Sequence, residues 1–238
     1  MSELKYTRVL VKLSGEALMG GAAFGINQSA VNAVITEVER IVKLGVEVAI
    51  VIGGGNMFRG LSAAAKGMER STADYIGMLA TIMNALALSE AFTSIGISSR
   101  VQSAFNIHQV AEVYTRSKAL KYLEEGKVVI FAGGTGNPFF TTDTAAALRA
   151  LEMKCDILIK ATQVDGIYND DPQKNPNALK YETITFEEAL TKKLKVMDST
   201  AFTLCQEQNL NIIVLKLSEP DALRKVVLGE AHGTLVHN

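Results

Sequence analysis

The chain has no tryptophan, two cysteines, four prolines and three histidines in 238 residues, and aromatics make up only 6% of it. Each scarcity removes a class of protein. Cys155 and Cys205 stand far apart, without the short spacing of a zinc or redox pair, and read as two reduced core thiols. The N-terminal stretch Met1–Arg8 is polar and lacks the apolar region of a secretory signal, so a cytoplasmic protein is expected. His108, His232 and His237 form no motif and read as surface or structural residues. The formal net charge is −1 and the basic residues are scattered, which leaves no basic face for a nucleic acid. No apolar run approaches the roughly 20 residues of a spanning helix, so no membrane partner is expected. Neither Gly-x4-Gly-Lys-[Ser/Thr] nor Gly-x-Gly-x-x-Gly occurs, which excludes an ordinary P-loop nucleotidase and an ordinary dinucleotide enzyme.

What is present is apolar and periodic. Hydrophobic residues make up 48% of the chain, enough for a substantial core. Short β-branched runs recur at Val9–Leu13, Val46–Ile52, Ile97–Val101, Val128–Ala132, Ile157–Lys160 and Ile212–Leu215. Between them lie helical patterns at Gln28–Leu44, Thr72–Phe92, Thr142–Met153, Phe186–Lys193, Ser199–Gln208 and Asp221–Leu228. Continuous apolar strands alternating with helices predict an α/β fold, a three-layer αβα sandwich around a mostly parallel sheet. The whole of 1–238 reads as one domain with two lobes, about 1–150 and about 151–238. The helix Thr72–Phe92 is more apolar than one core-facing stripe requires, so its outer face is expected to meet another subunit.

Three glycine loops each follow an apolar strand: Ser14-Gly15, Gly53-Gly54-Gly55-Asn56 and Gly133-Gly134-Thr135-Gly136-Asn137. In a parallel sheet, ligands sit beyond the carboxyl ends of the strands. Backbone amides at such loops, with a helix N-terminus behind them, suit anions. Three together predict a ligand carrying several phosphates.

The individual side chains read two ways. Lys12, near a strand end, meets a phosphate or snorkels at the sheet edge. Arg59 pairs a phosphate or is solvated. Asp74 and Asp143 either stabilise helix N-termini or serve the site, Asp143 by orienting a lysine. Thr135, Asn137, Thr141 and Thr142 fit hydrogen bonding to a base or sugar, beside Pro138, Phe139 and Phe140. Tyr168 covers a purine ring or belongs to the core.

Four segments resemble the bacterial uridylate (UMP) kinases of the amino-acid-kinase superfamily. They are Val11-Lys12-Leu13-Ser14-Gly15-Glu16-Ala17-Leu18, Gly53-Gly54-Gly55-Asn56-Met57-Phe58-Arg59-Gly60, Gly134-Thr135-Gly136-Asn137-Pro138-Phe139-Phe140-Thr141-Thr142-Asp143 and Lys160-Ala161-Thr162-Gln163-Val164-Asp165-Gly166-Ile167-Tyr168. The third is the most specific, and the likeness runs on through Leu194–Asp198 to cover essentially the whole chain. Glu69-Arg70-Ser71-Thr72-Ala73, before Asp74, departs locally from the pattern.

The resemblance implies transfer of the γ-phosphoryl of ATP to UMP, with Mg²⁺ and no covalent intermediate, in pyrimidine nucleotide biosynthesis. It implies that Lys12, Leu13, Ser14, Gly15, Gly55, Arg59, Thr162, Tyr168 and Asp171 line the ATP site. Gly54, Asp74, Thr135, Gly136, Asn137, Pro138, Phe139, Phe140, Thr141 and Thr142 would hold UMP. The UMP site then belongs mainly to the first lobe and the ATP site to the second. Lys12 and Asp143 are implied as catalytic, with Lys160 or Lys195 as the second lysine and Lys160 taken first. A homohexamer, activation by GTP and inhibition by UTP are implied as well, with Arg100, Arg116 and Lys127 as candidate contacts for GTP phosphates or, more plainly, solvated charges.

Overall fold

The computed structural model of the chain describes residues 3–59, 67–172, 174–194 and 196–238. Nine strands form one sheet: β1 (Arg8–Leu13), β2 (Glu47–Ile52), β3 (Ser99–Ser103), β4 (Glu112–Val113), β5 (Val128–Ala132), β6 (Ile157–Thr162), β7 (Thr183–Thr185), β8 (Ile212–Lys216) and β9 (Thr234–His237). Their spatial order is β4-β3-β5-β2-β1-β6-β8-β9-β7, and every pairing is parallel except β8 with β9. The helices are α1 (Gln28–Val42), α2 (Arg70–Ser94), α3 (Arg116–Glu124), α4 (Thr142–Glu152), α5 (Phe186–Thr191), α6 (Ser199–Glu207) and α7 (Ala222–Val227).

The central strands are apolar on both faces because helices cover both, as expected for a three-layer α/β sandwich. On one face Val9, Val11 and Leu13 of β1 pack with Val34, Val38 and Ile41 of α1, Leu88 and Phe92 of α2, and Leu223 and Val227 of α7. On the other, Leu10 of β1, Phe131 of β5 and Leu158 of β6 pack against Ala146 and Ala150 of α4 and Phe202 and Cys205 of α6. Both cysteines are free and buried.

Local chemistry sets the helix starts. Asn27 caps α1 by accepting from Ala30 N–H at 3.1 Å. Thr185 and Glu188 form a reciprocal capping box on α5. Glu69 caps α2, accepting from Ser71 N–H at 3.0 Å and Thr72 N–H at 2.8 Å. Asp74 therefore does not open that helix, which corrects the helix N-terminal role offered for it from sequence. It lies in the second turn, where Arg70 grips it (2.8 and 2.9 Å).

Other differences follow composition. β3 lies two residues beyond the apolar run at Ile97–Val101 because it buries Ser99, Gln102 and Ser103. β4, β7 and β9 are two to four residues long, and α3 buries only Ala119 and Leu123, so neither periodicity is strong in them. α2 is 25 residues long and contains an 18-residue window with a mean hydropathy of 1.4, enough by length and composition to cross a membrane, which the sequence reading had denied of any run. Half of that window is buried within this fold, and its inner face carries Thr81 and Asn84.

Candidate active site

β5, β2, β1 and β6 are consecutive in the sheet, so the loops leaving their carboxyl ends share one rim. All three glycine loops lie there. Gly53 N–H donates to Leu13 O at 2.9 Å, joining the second loop to the end of β1, and Leu13 reaches the rim only through that carbonyl because its side chain is core. Gly54 packs directly on α2: a Cβ there would come within 2.6 Å of Gly77 O and 2.9 Å of Ala80 Cβ. Only glycine permits that approach.

The charged centre lies beneath the rim. Lys12 on β1 and Lys160 on β6 share the face that also carries Leu10 and Leu158, the face that α4 covers. Asp143, in the first turn of α4, bridges them, with Oδ1 2.8 Å from Lys12 Nζ and Oδ2 2.8 Å from Lys160 Nζ. Lys160 also donates to Val196 O at 2.5 Å. The three side chains are only 10–16% exposed. Burial raises the Asp143 pKa, but the two ammonium groups outweigh it and hold the carboxyl below its ordinary value. For Lys160 burial dominates and Lys12 adds repulsion, so its pKa falls below the ordinary lysine value despite Asp143. Asp143 is thus both a helix N-terminal residue and the counter-ion of two lysines. Lys195, the other candidate for the second lysine, lies outside the described residues, as does Gly60.

Asp198, to which sequence reasoning gave no role, braces this centre. It accepts from the hydroxyls of Thr141 and of Thr144, the latter at 3.1 Å, and caps α6 through Ala201 N–H at 3.0 Å. Thr141 in turn caps α4, accepting from Asp143 N–H at 3.0 Å. One carboxylate therefore ties two helix N-termini together beside Asp143. Asp198 just before the helical run Ser199–Gln208 was a legible N-cap signal.

Two cavities flank the centre. One, of about 150 Å³, is walled by Gly54, Gly55, Asp74, Thr135, Phe140 and Thr142, among others. The other, of about 640 Å³, runs from Lys160 and Thr162 past Tyr168 to Asp171. Ser14 and Thr162 line a smaller hollow between the first loop and β6. Tyr168 is half-buried and donates to Asp165 Oδ1 at 2.6 Å, which places it in the wall of the larger cavity rather than in the core.

The third loop is only partly drawn in. Gly136, Asn137, Pro138 and Phe139 stand outside the smaller cavity's wall. Asn137 folds onto Thr135, and Phe139, in the left-handed region at φ 73°, gives its N–H to Asp74 Oδ2 at 2.8 Å. Arg70 stacks over the Phe139 ring. Arg59 is exposed and paired with Glu16, and Gly15 sits against the second glycine loop. Arg100 and Lys127 share the ring of Tyr122, at 5.6 and 5.1 Å, whereas Arg116 donates to Glu152 O.

A mostly parallel sheet with glycine loops on one rim and two lysines around a buried carboxylate defines a phosphoryl-handling α/β protein. The chain belongs to the amino acid kinase family, whose family model matches residues 7–216. Its structure is similar to that of UMP kinase from Bacillus anthracis, with 41% identity, a TM-score of 0.94, and coverage of 98% of this chain and 96% of that one. UMP kinase from Ureaplasma parvum is 39% identical with a TM-score of 0.92, covering 98% and 100% of the two chains. Uridylate kinase from Archaeoglobus fulgidus, at 28% identity, gives 0.74 over 96% and 99%.

Proposed function

We propose that this chain is an ATP:UMP phosphotransferase, forming UDP and ADP by direct in-line transfer. The observation that carries the chemistry is the bridge of Asp143 between Lys12 and Lys160, set between two cavities at the glycine-loop rim. Phosphoryl transfer needs positioning and charge neutralisation more than a covalent group. The lysines and loop amides supply both, and Asp143 fixes where the ammonium groups point. The acceptor, a phosphate oxygen of UMP, is already ionised near neutral pH. No general base is required, which fits a site without a histidine. The substrate assignment leans on the likeness to UMP kinases over nearly the whole chain.

In this reading UMP occupies the smaller cavity. Asp74 holds the ribose, Thr135, Phe140, Thr141 and Thr142 meet the base from the cavity wall, and Gly54 approaches the phosphate, with Gly136 through Phe139 outside that wall. ATP occupies the larger cavity, with Thr162, Tyr168 and Asp171 along the nucleoside and Lys12, Ser14, Gly15, Gly55 and Arg59 toward its phosphates. Among the described residues no group of three His, Cys, Asp or Glu side chains offers a metal cage, and Asp143 is already engaged by two lysines. Mg²⁺ bound with the nucleotide would add to the charge neutralisation that Lys12, Lys160 and the loop amides supply around the phosphates.

The same reading makes the protein a cytoplasmic enzyme of pyrimidine nucleotide biosynthesis, supported by its two free, buried thiols. It makes the working form a homohexamer, supported by the exposed apolar residues along α2. It makes the enzyme subject to GTP activation and UTP inhibition, with Arg100 and Lys127 around Tyr122, and Arg116 on the same helix as that ring, as the basic surface for GTP.

The test is ADP release from Mg·ATP with UMP, CMP, dUMP, glutamate, aspartate and carbamate offered separately. Turnover with UMP and little with the others is expected. Turnover with an amino acid or carbamate instead overturns the substrate. No turnover with any, despite binding of UTP or GTP, makes the protein a nucleotide sensor.

A further inference from the structure

We infer that Asn84 is a positioning residue for phosphoryl transfer, holding the second glycine loop in register through a reciprocal amide pair with Asn56. Asn84 is fully buried on the inner face of α2, and Asn56 is 1% exposed. Asn84 Nδ2 donates to Gly53 O at 2.7 Å and to Asn56 Oδ1 at 2.6 Å. Asn56 Nδ2 donates back to Asn84 Oδ1 at 2.9 Å and also to Gly25 O at 2.9 Å. The two backbone carbonyls dictate which way both amides face, because only the NH₂ ends can meet them.

The pair also reaches the segments at Gly25 and Gly15. Asn56 holds Gly25 twice, since Gly25 N–H also donates to Asn56 O at 2.9 Å. A Cβ on Gly15 would run into Asn56 Oδ1 and come within 2.8 Å of Gly55 N, so the first glycine loop rests on the same side chain. Three residues before Asn84, Thr81 Oγ1 accepts Gly133 N–H at 2.7 Å, at the head of the third loop. α2 thus carries two of the loops on one buried face, and the Asn pair spaces the first from the second.

The side-chain chemistry is specific. Position 84 donates twice and accepts once while fully buried, which an amide does and a carboxylate or hydroxyl does not. A glycine-rich backbone cannot hold itself, because glycine is the least constrained residue. Asn84 therefore adds rigidity at Gly53–Asn56 to what the Gly53 N–H bond to Leu13 O and the Met57 and Phe58 N–H bonds to Gly54 O provide. Transfer depends on this, because loop amides stabilise transition-state charge only when already in place.

The inference rests on the kinase reading, and the experiment separates the two. Asn84→Asp keeps the shape and removes the amide donors, and Asn84→Ser replaces the amide by one shorter hydroxyl without adding charge. With Mg·ATP and UMP, kcat is expected to fall about 10²-fold, with both KM values within about threefold, because the nucleosides bind elsewhere. Amide hydrogen exchange across 53–57 is expected to accelerate in both variants, a readout independent of turnover. If wild type forms no UDP, the substrate reading fails while exchange still tests the pair. Folded variants with wild-type kcat, or with unchanged exchange at 53–57, overturn the inference. So does failure of both variants to fold, which makes the pair a determinant of the fold instead.

Discussion

Lys12 on β1 and Lys160 on β6 are direct register partners in neighbouring parallel strands, pointing to the same face of the sheet. Two ammonium groups so placed repel each other, and Asp143 between them makes the arrangement tolerable. Asp143→Ala leaves both lysines buried without a counter-ion. Breaking such a buried set is expected to cost about 3–5 kcal/mol. Turnover of the folded variant should fall by about 10²–10³-fold. Lys12→Ala should lower turnover similarly and stability less, because Lys160 keeps its partner. Thermal melts alongside kcat below the melting range check both, and unchanged turnover removes that residue from the mechanism.

The same centre sets an alkaline limit. Burial lowers the Lys160 pKa, with Lys12 adding to the shift and Asp143 opposing it. Lys160 is charged below that pKa and neutral above it, so activity that needs the ammonium is lost as pH rises through it. The alkaline limb of kcat/KM should therefore fall below the ordinary lysine value of about 10.4. Lys160→Arg, which keeps its charge past about pH 12, should carry the limb upward. A limb that stays in place belongs to another group. On the acid side the folded Asp143 pKa is depressed, so its contribution to stability is complete above about pH 4 and disappears as pH falls through the lower folded value.

The sequence was most legible where one physical signal acted alone. Continuous apolar runs located β1, β2, β5, β6 and β8, because strands covered on both faces have no polar alternation to confuse them. The glycine loops were legible at their ends for the same reason. Elements stabilised mainly by neighbours were not. β9 runs antiparallel to β8 and parallel to β7, an arrangement that depends on pairing rather than on its own four residues.

In the site, Lys12 and Asp143 were each visible with two meanings, and only the register of Lys12 with Lys160 shows them serving one centre. Asp74 was placed one helical turn too early because Glu69, the actual cap, is an uncommon capping residue. Asn84 carried no signal at all. A polar residue at a core position of an apolar helix acquires meaning only when the carbonyls it faces are known.

The two cysteines give a direct check on burial. Cys155 is 9% exposed and Cys205 0%, and burial pushes both thiols up to about 12. At pH 8 a thiol with that pKa is ionised in only about one molecule in ten thousand, against roughly a quarter for a free cysteine. A disulfide reagent such as Ellman's should therefore label the native protein very slowly and both thiols rapidly in denaturant. Fast labelling of either thiol in the native state would show that its region opens, and Cys205, in the core cluster with Ala146 and Ala150 of α4 and near enough to Asp143 and Asp198 to feel their charge, would report opening beside the catalytic centre.

Along α2, Tyr75, Leu79 and Met83 follow at four-residue intervals and are 48%, 47% and 50% exposed. Residues at this spacing form one stripe on a helix. The opposite side of the same helix is occupied by Phe92, Leu88 and the loop-holding Thr81 and Asn84, so the stripe has no place in this chain's own core. A second copy of the chain is the occupant the hexamer reading requires, and in a two-fold contact any introduced charge appears twice. Leu79→Glu and Met83→Glu should therefore shift the sedimentation coefficient from the assembled form toward the monomer, with little change in the monomer's far-ultraviolet circular dichroism. If both variants sediment as wild type does, the stripe is not the contact. If wild type is itself monomeric at micromolar concentration, the hexamer is wrong.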